Sequence, residues 1–193
     1  MVEQNVTSRP GRGGRQRILA AAMTLFETHG INATSMEEVA STAPVSKRTL
    51  YIHFPSKDDL VVAYLRHVVE AGLTMESVLD RQDRTPRERL LELFTVPDNG
   101  TGLIRGCPFV DAAAEFPDPD SPAHAYARQQ KQRFTQRIAA LLSELGAAQP
   151  DILAEQLAIL ADGAASRAMV LNDPTCGQHA RAAATALLDA ATA

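Results

Sequence analysis

Residues 44–57 read PVSKRTLYIHFPSK, a short basic segment in which a tyrosine and a histidine lie about one helical turn from the lysine-arginine pair. Ser46 is suited to cap a helix that runs to about His53, after which a proline follows. Three apolar residues lie near one face of this helix: Val45, Leu50 and Phe54. The segment therefore predicts a short helix that is anchored on one face and polar and basic on the rest.

The residues upstream of this segment predict two more helices. From Arg15 to His29 apolar residues recur at helical spacing, and Gly30 is a stop signal. The sequence from Ser35 to Glu38 is a capping box that begins a short helix, which ends near Thr42. Three helices within about forty residues, the last two short and joined by a tight turn, form the helix-turn-helix pattern.

The rest of the chain is helical in pattern and shows no strand signal. Apolar spacing predicts one long helix from Ser56 to Leu79, with a length of roughly 35 Å. Caps and prolines predict further helix starts near Thr85, Cys107, Ser121, Pro150 and Thr175. The predicted fold is all-α with about nine helices. We divide it into a flexible basic arm (1–14), a helix-turn-helix head (15–58) and a ligand-binding and dimerisation body (59–193).

Composition and charge narrow the class of protein. The chain of 193 residues is rich in alanine and has only 5% aromatic residues, which favours helices. No run is long enough to cross a bilayer and the first residues do not form a signal peptide, so we expect a cytoplasmic protein. The two cysteines form no disulfide framework or zinc pattern, and the sequence indicates no metal and no cofactor.

Charge is distributed unevenly along the chain. Residues 9–57 carry seven basic and three acidic side chains, whereas residues 61–193 carry 12 basic and 17 acidic ones. The net charge of −4 alone argues against a nucleic-acid binder. A basic head on an acidic body is nevertheless the asymmetry expected when only one end of a protein meets phosphate.

Several polar and aromatic positions of the head agree in register with a known signature. The chain from 15 to 62 resembles the DNA-binding head of the TetR family of bacterial transcription regulators, and the body is similar to that family in length and helical pattern. A second stretch, 106–117, looks like a segment of one branch of that family. The matching residues of the head are Phe26, Gly30, Thr34-Ser35, Val39-Ala40, Val45-Ser46-Lys47, Thr49-Leu50-Tyr51, His53-Phe54 and Ser56-Lys57.

The resemblance implies where DNA contacts lie. Thr34 and Ser35 would meet phosphate at the start of the second helix, and Lys57 would do so at the start of the fourth. The helix that faces the groove would present Ser46, Lys47, Thr49, Tyr51 and His53. Lysine donates to phosphate or to guanine edges, and the rings of tyrosine and histidine combine an apolar body with a polar tip.

Two positions depart from the family pattern. The family usually has glycine where this chain has Arg48, which we count among the DNA-binding residues because it either reads a guanine or meets a phosphate. The family also favours glycine in the turn where this chain has Pro44. Proline fixes φ near −65°, so we expect it to exclude a left-handed turn and to change the local geometry.

The body offers candidates for a ligand cavity, with alternatives for each kind. Aromatic residues at helical spacing also fit a plain core, His67 could face a cavity or water, and Glu115 could be a polar anchor in a pocket or an exposed end. Cys107 lies at a predicted helix start, where a thiolate is stabilised, but it also fits a small buried residue. The candidates are Tyr64, His67, Phe94, Cys107, Phe109, Glu115, Phe116, Tyr126 and Phe134.

These observations predict a ligand-responsive transcription regulator, not an enzyme, that represses from a palindromic operator in double-stranded DNA and is released by a small-molecule effector. The alanine-rich faces of the last two helices permit close helix approach, either within one chain or between two copies. The resemblance implies a homodimer, and largely through it we favour a four-helix dimer interface formed by these helices. The effector would shift the long helix at 56–80 and so change the spacing of the heads. The alternative is a helical ligand-binding protein or a thiol-based redox sensor that uses Cys107.

Overall fold

The computed structural model describes residues 13–96 and 102–192. These residues contain nine α-helices, one 3₁₀ helix and no strand, which agrees with the all-α prediction. The first twelve residues of the predicted arm lie outside the described residues, and Gly13 and Gly14 already belong to the first helix. The elements are α1 (Gly13–His29), α2 (Met36–Thr42), α3 (Lys47–His53), α4 (Lys57–Glu70), the 3₁₀ helix (Met75–Asp80), α5 (Pro86–Glu92), α6 (Pro108–Glu115), α7 (Pro122–Glu144), α8 (Pro150–Leu171) and α9 (Cys176–Ala191).

Side-chain caps fix the starts of most of these helices. At three helix starts the capping side chain accepts a hydrogen bond from the backbone N–H three residues on. The carboxylate of that third residue accepts a hydrogen bond from the backbone N–H of the cap in return. The capping residues are Ser35, Ser56 and Thr85. Each reciprocal pair satisfies two N–H groups that a helix start leaves open. α5, α6, α7 and α8 begin on a proline, which has no N–H to satisfy, and of these only α6 and α8 have no side-chain cap.

The long helix predicted from Ser56 to Leu79 is wrong. α4 ends at Glu70 after 14 residues, about 21 Å, and Gly72 follows with a φ of +66°. The N–H of Leu73 bonds to Val68 O at 3.0 Å, which closes the left-handed turn that glycine favours after a helix. The apolar spacing continues past this turn, but the residues that carry it form the separate 3₁₀ helix.

Two hydrophobic clusters hold the described residues together. The first joins α1, α2, α3 and α4 to one side of α6 and the start of α7, through residues such as Phe26, Leu65 and Phe109. The second fills the body between α5, α7, α8 and α9, with Phe134 and Leu157 at its centre. Because α4 packs on both α1 and α7, the core is continuous across the predicted head boundary at 58, and that boundary stays a prediction.

The C-terminal end of α6 joins the body to the head. The N–H groups of Ile31 and Asn32, in the loop after α1, both donate to the carboxylate of Glu115, the first of them at 3.3 Å. The side-chain amide of Asn32 also donates to the backbone oxygen of Glu115 at 3.3 Å. Arg105 adds a bond to Thr28 O at 3.2 Å. The position of the α1–α2 loop therefore depends on α6.

Within the described ranges, no helix has the length and apolar character needed to cross a membrane.

Candidate nucleic-acid interface

α3 presents a polar face to solvent. Leu50 is fully buried under it, whereas Lys47, Arg48 and Tyr51 are exposed, with 40% of the surface of Tyr51 accessible. The helix has seven residues, so its two turns carry this whole set. Three of the predicted DNA-binding residues therefore share one solvent-exposed surface, together with Ile52, to which the sequence assigned no role.

Lys47 is held by an acidic residue of the neighbouring helix. Its ammonium group donates to the carboxylate of Glu37 on α2, and both side chains are more than half exposed. This hydrogen bond lowers the pKa of Glu37 and raises that of Lys47, so both remain charged at neutral pH. Exposed pairs of this kind are weak. A phosphate group can therefore compete with Glu37 for the lysine.

The serine and threonine hydroxyls near α3 are engaged in capping. Ser46 Oγ accepts the N–H of Thr49 at 3.1 Å, and the two hydroxyls lie 2.8 Å apart. Ser35 accepts from Glu38 N at 3.1 Å and donates to its carboxylate at 3.0 Å. These residues shape the starts of α2 and α3, and the hydroxyl of Ser35 is already bonded on both sides.

Two of the predicted DNA-binding residues point into the protein. Thr34 is 1% exposed, and its hydroxyl donates to Gly30 O at 2.8 Å. The ring of His53 is wedged against α1, where a β-carbon added at Gly14 would lie 3.1 Å from Nε2. That nitrogen is buried and has no hydrogen-bond partner among the described residues. Both residues therefore position helices of the head.

Lys57 lies at the junction between the head and α6. It is half-buried, and its ammonium group donates to Asn32 O at 3.2 Å. Burial lowers its pKa, while the charges of Glu115 and Glu38 oppose that shift. Lys57 is the first residue of α4, which Ser56 caps. Because its ammonium group is bound to Asn32 O, a contact of Lys57 with phosphate would draw the lysine away from the α1–α2 loop.

The turn between α2 and α3 has a left-handed residue at Pro44. The expectation that proline excludes such a turn is wrong, because Pro44 has a φ of +20°. The N–H of Val45 donates to Ala40 O at 3.0 Å, which closes the last turn of α2. This bond requires the residue before Val45, which is Pro44, to adopt a left-handed conformation. Proline supplies no N–H for the second bond of this motif. The sharp α2–α3 turn is kept at the cost of backbone strain.

A cavity of about 570 Å³ lies in the body, between the Gly72 turn, α5, α6, α7 and α8. Four of the predicted ligand-binding residues line it: Phe94, Cys107, Phe109 and Phe134. Its walls are mainly apolar, and its volume falls in the range typical of small-molecule sites.

The other five ligand candidates lie outside the lining of this cavity. Tyr64 packs edge-on against Phe26 with ring centroids 5.3 Å apart, and burial raises its pKa to about 12. The ring of Tyr126 lies under the guanidinium of Arg66 at 5.6 Å. Phe116 packs against the first core cluster, His67 is half-buried on α4, and Glu115 binds the α1–α2 loop.

The cavity also has charged residues that the sequence did not single out. Glu76 is 7% exposed; burial raises its pKa, and Arg137, 3.4 Å from its carboxylate, opposes the shift. Burial disfavours the charged form of Lys131, but its interactions with Cys107 and Asp162 raise its pKa above the ordinary 10.5. The sequence did not predict that Glu76 lies in the cavity wall, because the 3₁₀ helix that places it was predicted as part of a longer α-helix.

Comparison with known families identifies both parts of this structure. Residues 18–64 match the model of the bacterial regulatory proteins of the tetR family, and residues 85–184 match that of the tetracyclin repressor-like C-terminal domain. The chain belongs to the TetR family. The resemblance in the head is thereby confirmed, and the match extends through most of the body.

Individual relatives of this TetR-family chain are similar along most of their length. The HTH-type transcriptional regulator YjdC of Escherichia coli is 27% identical over 159 residues, 81% of this chain and 83% of that protein. A crystal structure of a TetR transcriptional regulator from Streptomyces avermitilis is 32% identical with a TM-score of 0.80, and one from Streptomyces coelicolor is 26% identical with a TM-score of 0.81. Each covers 95% of this chain and 98% of its own.

The family membership establishes the general function. This TetR-family chain is a helix-turn-helix transcription regulator that binds DNA, and its homologues are transcription regulators. Proteins of the family act as dimers and are typically controlled by small molecules.

Proposed function

We propose that the protein is a homodimeric repressor that leaves a palindromic operator when a small molecule occupies the body cavity. Each subunit would place α3 in a major groove, with half-site centres about one helical turn apart or a little more. The observation that carries this proposal is the exposed surface of α3, on which Lys47, Arg48 and Tyr51 lie together above the buried Leu50.

The proposed dimer interface is formed by α8 and α9. Ile152, Ile159 and Val170 on α8 are exposed in the single chain, at 57%, 68% and 76%. The first two are seven residues apart, so they lie on the same side of the helix. A symmetric pairing of two copies would remove these side chains from water. The same pairing would bring α9 of both copies into a four-helix interface.

The cavity supports a route from effector to head through two elements. Gly72 to Thr74, directly after α4, line the cavity, and so do Cys107 and Phe109 at the start of α6. The other end of α6 holds the α1–α2 loop through Glu115. An effector that favours a displaced α6 would move the head, provided that it binds that state better than the DNA-bound state.

Selection of bound duplexes from a random pool tests the proposal. We expect an inverted repeat, bound in a salt-sensitive manner. In a mobility-shift titration Lys47→Ala and Tyr51→Ala should weaken binding by roughly tenfold each. The control is Arg84→Ala, which removes one positive charge from the body and should have little effect. Wild-type affinity in both head variants would show that α3 is not the helix that meets DNA.

A second candidate function is a thiol-based sensor, in which modification of Cys107 replaces reversible ligand binding. The observation that favours it is that Cys107 and Lys131 line the same cavity, where a nearby ammonium group favours a thiolate, although Lys131 also donates to the carboxylate of Asp162. Iodoacetamide should then alkylate Cys107 faster than a free thiol at neutral pH, and Lys131→Met should slow the reaction. The buried Cys176 is the internal control. Reaction of Cys107 at the free-thiol rate would exclude this sensor.

A further inference from the structure

Ile52 is an exposed apolar side chain in the middle of the polar surface of α3. It is 57% exposed, although most of its neighbours on this surface are polar. Each residue of an α-helix turns by about 100°, so two residues turn by about 200°. Arg48 and Ile52 each lie two residues from the buried Leu50, on opposite sides of it. Both therefore point away from the core and share one ridge of the helix.

Arg48 is free to meet a partner, unlike Lys47. No hydrogen bond or ion pair of Arg48 occurs within the part of the chain that the structure describes, whereas Lys47 is bound by Glu37. The two basic residues of α3 thus differ in position and in their hydrogen-bond partners. Arg48 is exposed one helical turn from Ile52, and Lys47 contacts Glu37 of α2.

The chemistry of this pair matches two neighbouring features of a major groove. The arginine fork donates two parallel hydrogen bonds to O6 and N7 of guanine, which lysine cannot reproduce with the same geometry. An apolar side chain contacts the C5-methyl group of thymine, which removes both surfaces from water. A single exposed isoleucine is ordinary on a protein surface. Here it lies one helical turn from an arginine that has no partner among the described residues, on the helix that the family uses to meet DNA.

We propose that Arg48 and Ile52 form a base-reading pair, in which Arg48 recognises a guanine and Ile52 a thymine of the same half-site. Residues four apart on a helix have β-carbons about 5–6 Å apart, and base pairs are spaced by about 3.4 Å. The two bases therefore lie within one or two base-pair steps of each other. This inference rests on the proposed placement of α3 in the major groove, with Lys47 on the phosphate backbone.

Base analogues in the duplex recovered by selection test each contact separately. One duplex replaces the half-site guanine with 7-deazaguanine, which lacks the N7 acceptor, and another replaces the thymine with deoxyuridine, which lacks only the methyl group. The wild-type protein should bind the first about tenfold more weakly. It should bind the second roughly threefold more weakly. Arg48→Ala should lose the first penalty, and Ile52→Ala should lose the second.

The variants separate this inference from the placement of the helix. Lys47→Ala should weaken binding to all three duplexes equally and keep both penalties. If Lys47→Ala weakens binding but Arg48→Ala and Ile52→Ala keep the wild-type penalties, the base-reading pair is wrong while α3 remains at the DNA. If neither Lys47→Ala nor Arg48→Ala changes affinity for the selected duplex, the placement of α3 itself fails. A selected half-site without a guanine and a thymine within two steps also overturns the inference.

Discussion

At the scale of single residues, Pro44 is one of two non-glycine residues with a positive φ in the described chain. Its φ of +20° lies far from the value that its ring prefers. Such a conformation costs about 1–3 kcal/mol. The surrounding turn imposes it, because α2 and α3 are joined through the bond from Val45 N to Ala40 O. Strain at this residue is therefore linked to the angle between α2 and α3.

Replacement of this proline by glycine should stabilise the protein. Glycine adopts a positive φ without steric cost and restores an N–H for the turn. It also loosens the unfolded chain, at a cost of about 0.4–1 kcal/mol, so a net gain of about 1 kcal/mol is expected for Pro44→Gly. Chemical denaturation measures it. Pro55→Gly is the matched control and should lose stability, since Pro55 has no positive φ. A loss in both variants would mean that Pro44 is not strained.

Much of the site at this scale was open to prediction from the sequence. The exposure of Arg48 follows from helical spacing, because it lies two residues from the buried Leu50 and therefore on the opposite side of α3. The sequence did not reveal that Thr34 and His53 point inwards, because the direction of a short side chain depends on tertiary packing. Nor did it show that Glu37 holds Lys47, since the two residues are ten positions apart and meet only after α2 and α3 have folded.

At the scale of elements, α6 touches both the cavity and the head. It has only eight residues, and its first turn lines the cavity while its last residue binds the α1–α2 loop. The sequence predicted the start of α6 near Cys107, because Pro108 suits the first helical position. It could not predict this connection, because Glu115 and Ile31 are 84 positions apart. It also overextended α4, because the apolar spacing continues beyond Gly72 while the backbone does not.

Removal of the Glu115 carboxylate should loosen the α1–α2 loop. Hydrogen bonds to a charged acceptor contribute about 1.5–3 kcal/mol each, and less at a half-exposed site, so we expect Glu115→Ala to cost about 1–2 kcal/mol. Hydrogen exchange at Ile31 and Asn32 should speed up in the same variant. Glu144→Ala, which removes an exposed carboxylate at the end of α7, should change neither quantity. Unchanged exchange at both amides would show that α6 does not hold the loop.

At the scale of the whole molecule, one surface of α8 is incompletely covered in the single chain. Its exposed isoleucines and valine lie away from both hydrophobic clusters, although α8 itself contributes Leu153 and Leu157 to the second of them. A helix that is apolar on two sides is typical of a bundle with a second partner. The proposed reading of a palindrome needs such a partner, because a single head has only one α3.

A charge on the exposed side of α8 therefore tests the proposed assembly. Ile159 is 68% exposed, so Ile159→Asp should leave the fold of one chain intact, as circular dichroism would show. In a symmetric dimer the change occurs twice, and the dimer dissociation constant should rise by about 100-fold or more. Sedimentation velocity measures this, and affinity for the full inverted repeat should fall with it. Leu73→Asp puts the same charge at a similarly exposed site off α8 and should leave the dimer intact. A dimer that survives Ile159→Asp with unchanged affinity would place the interface elsewhere.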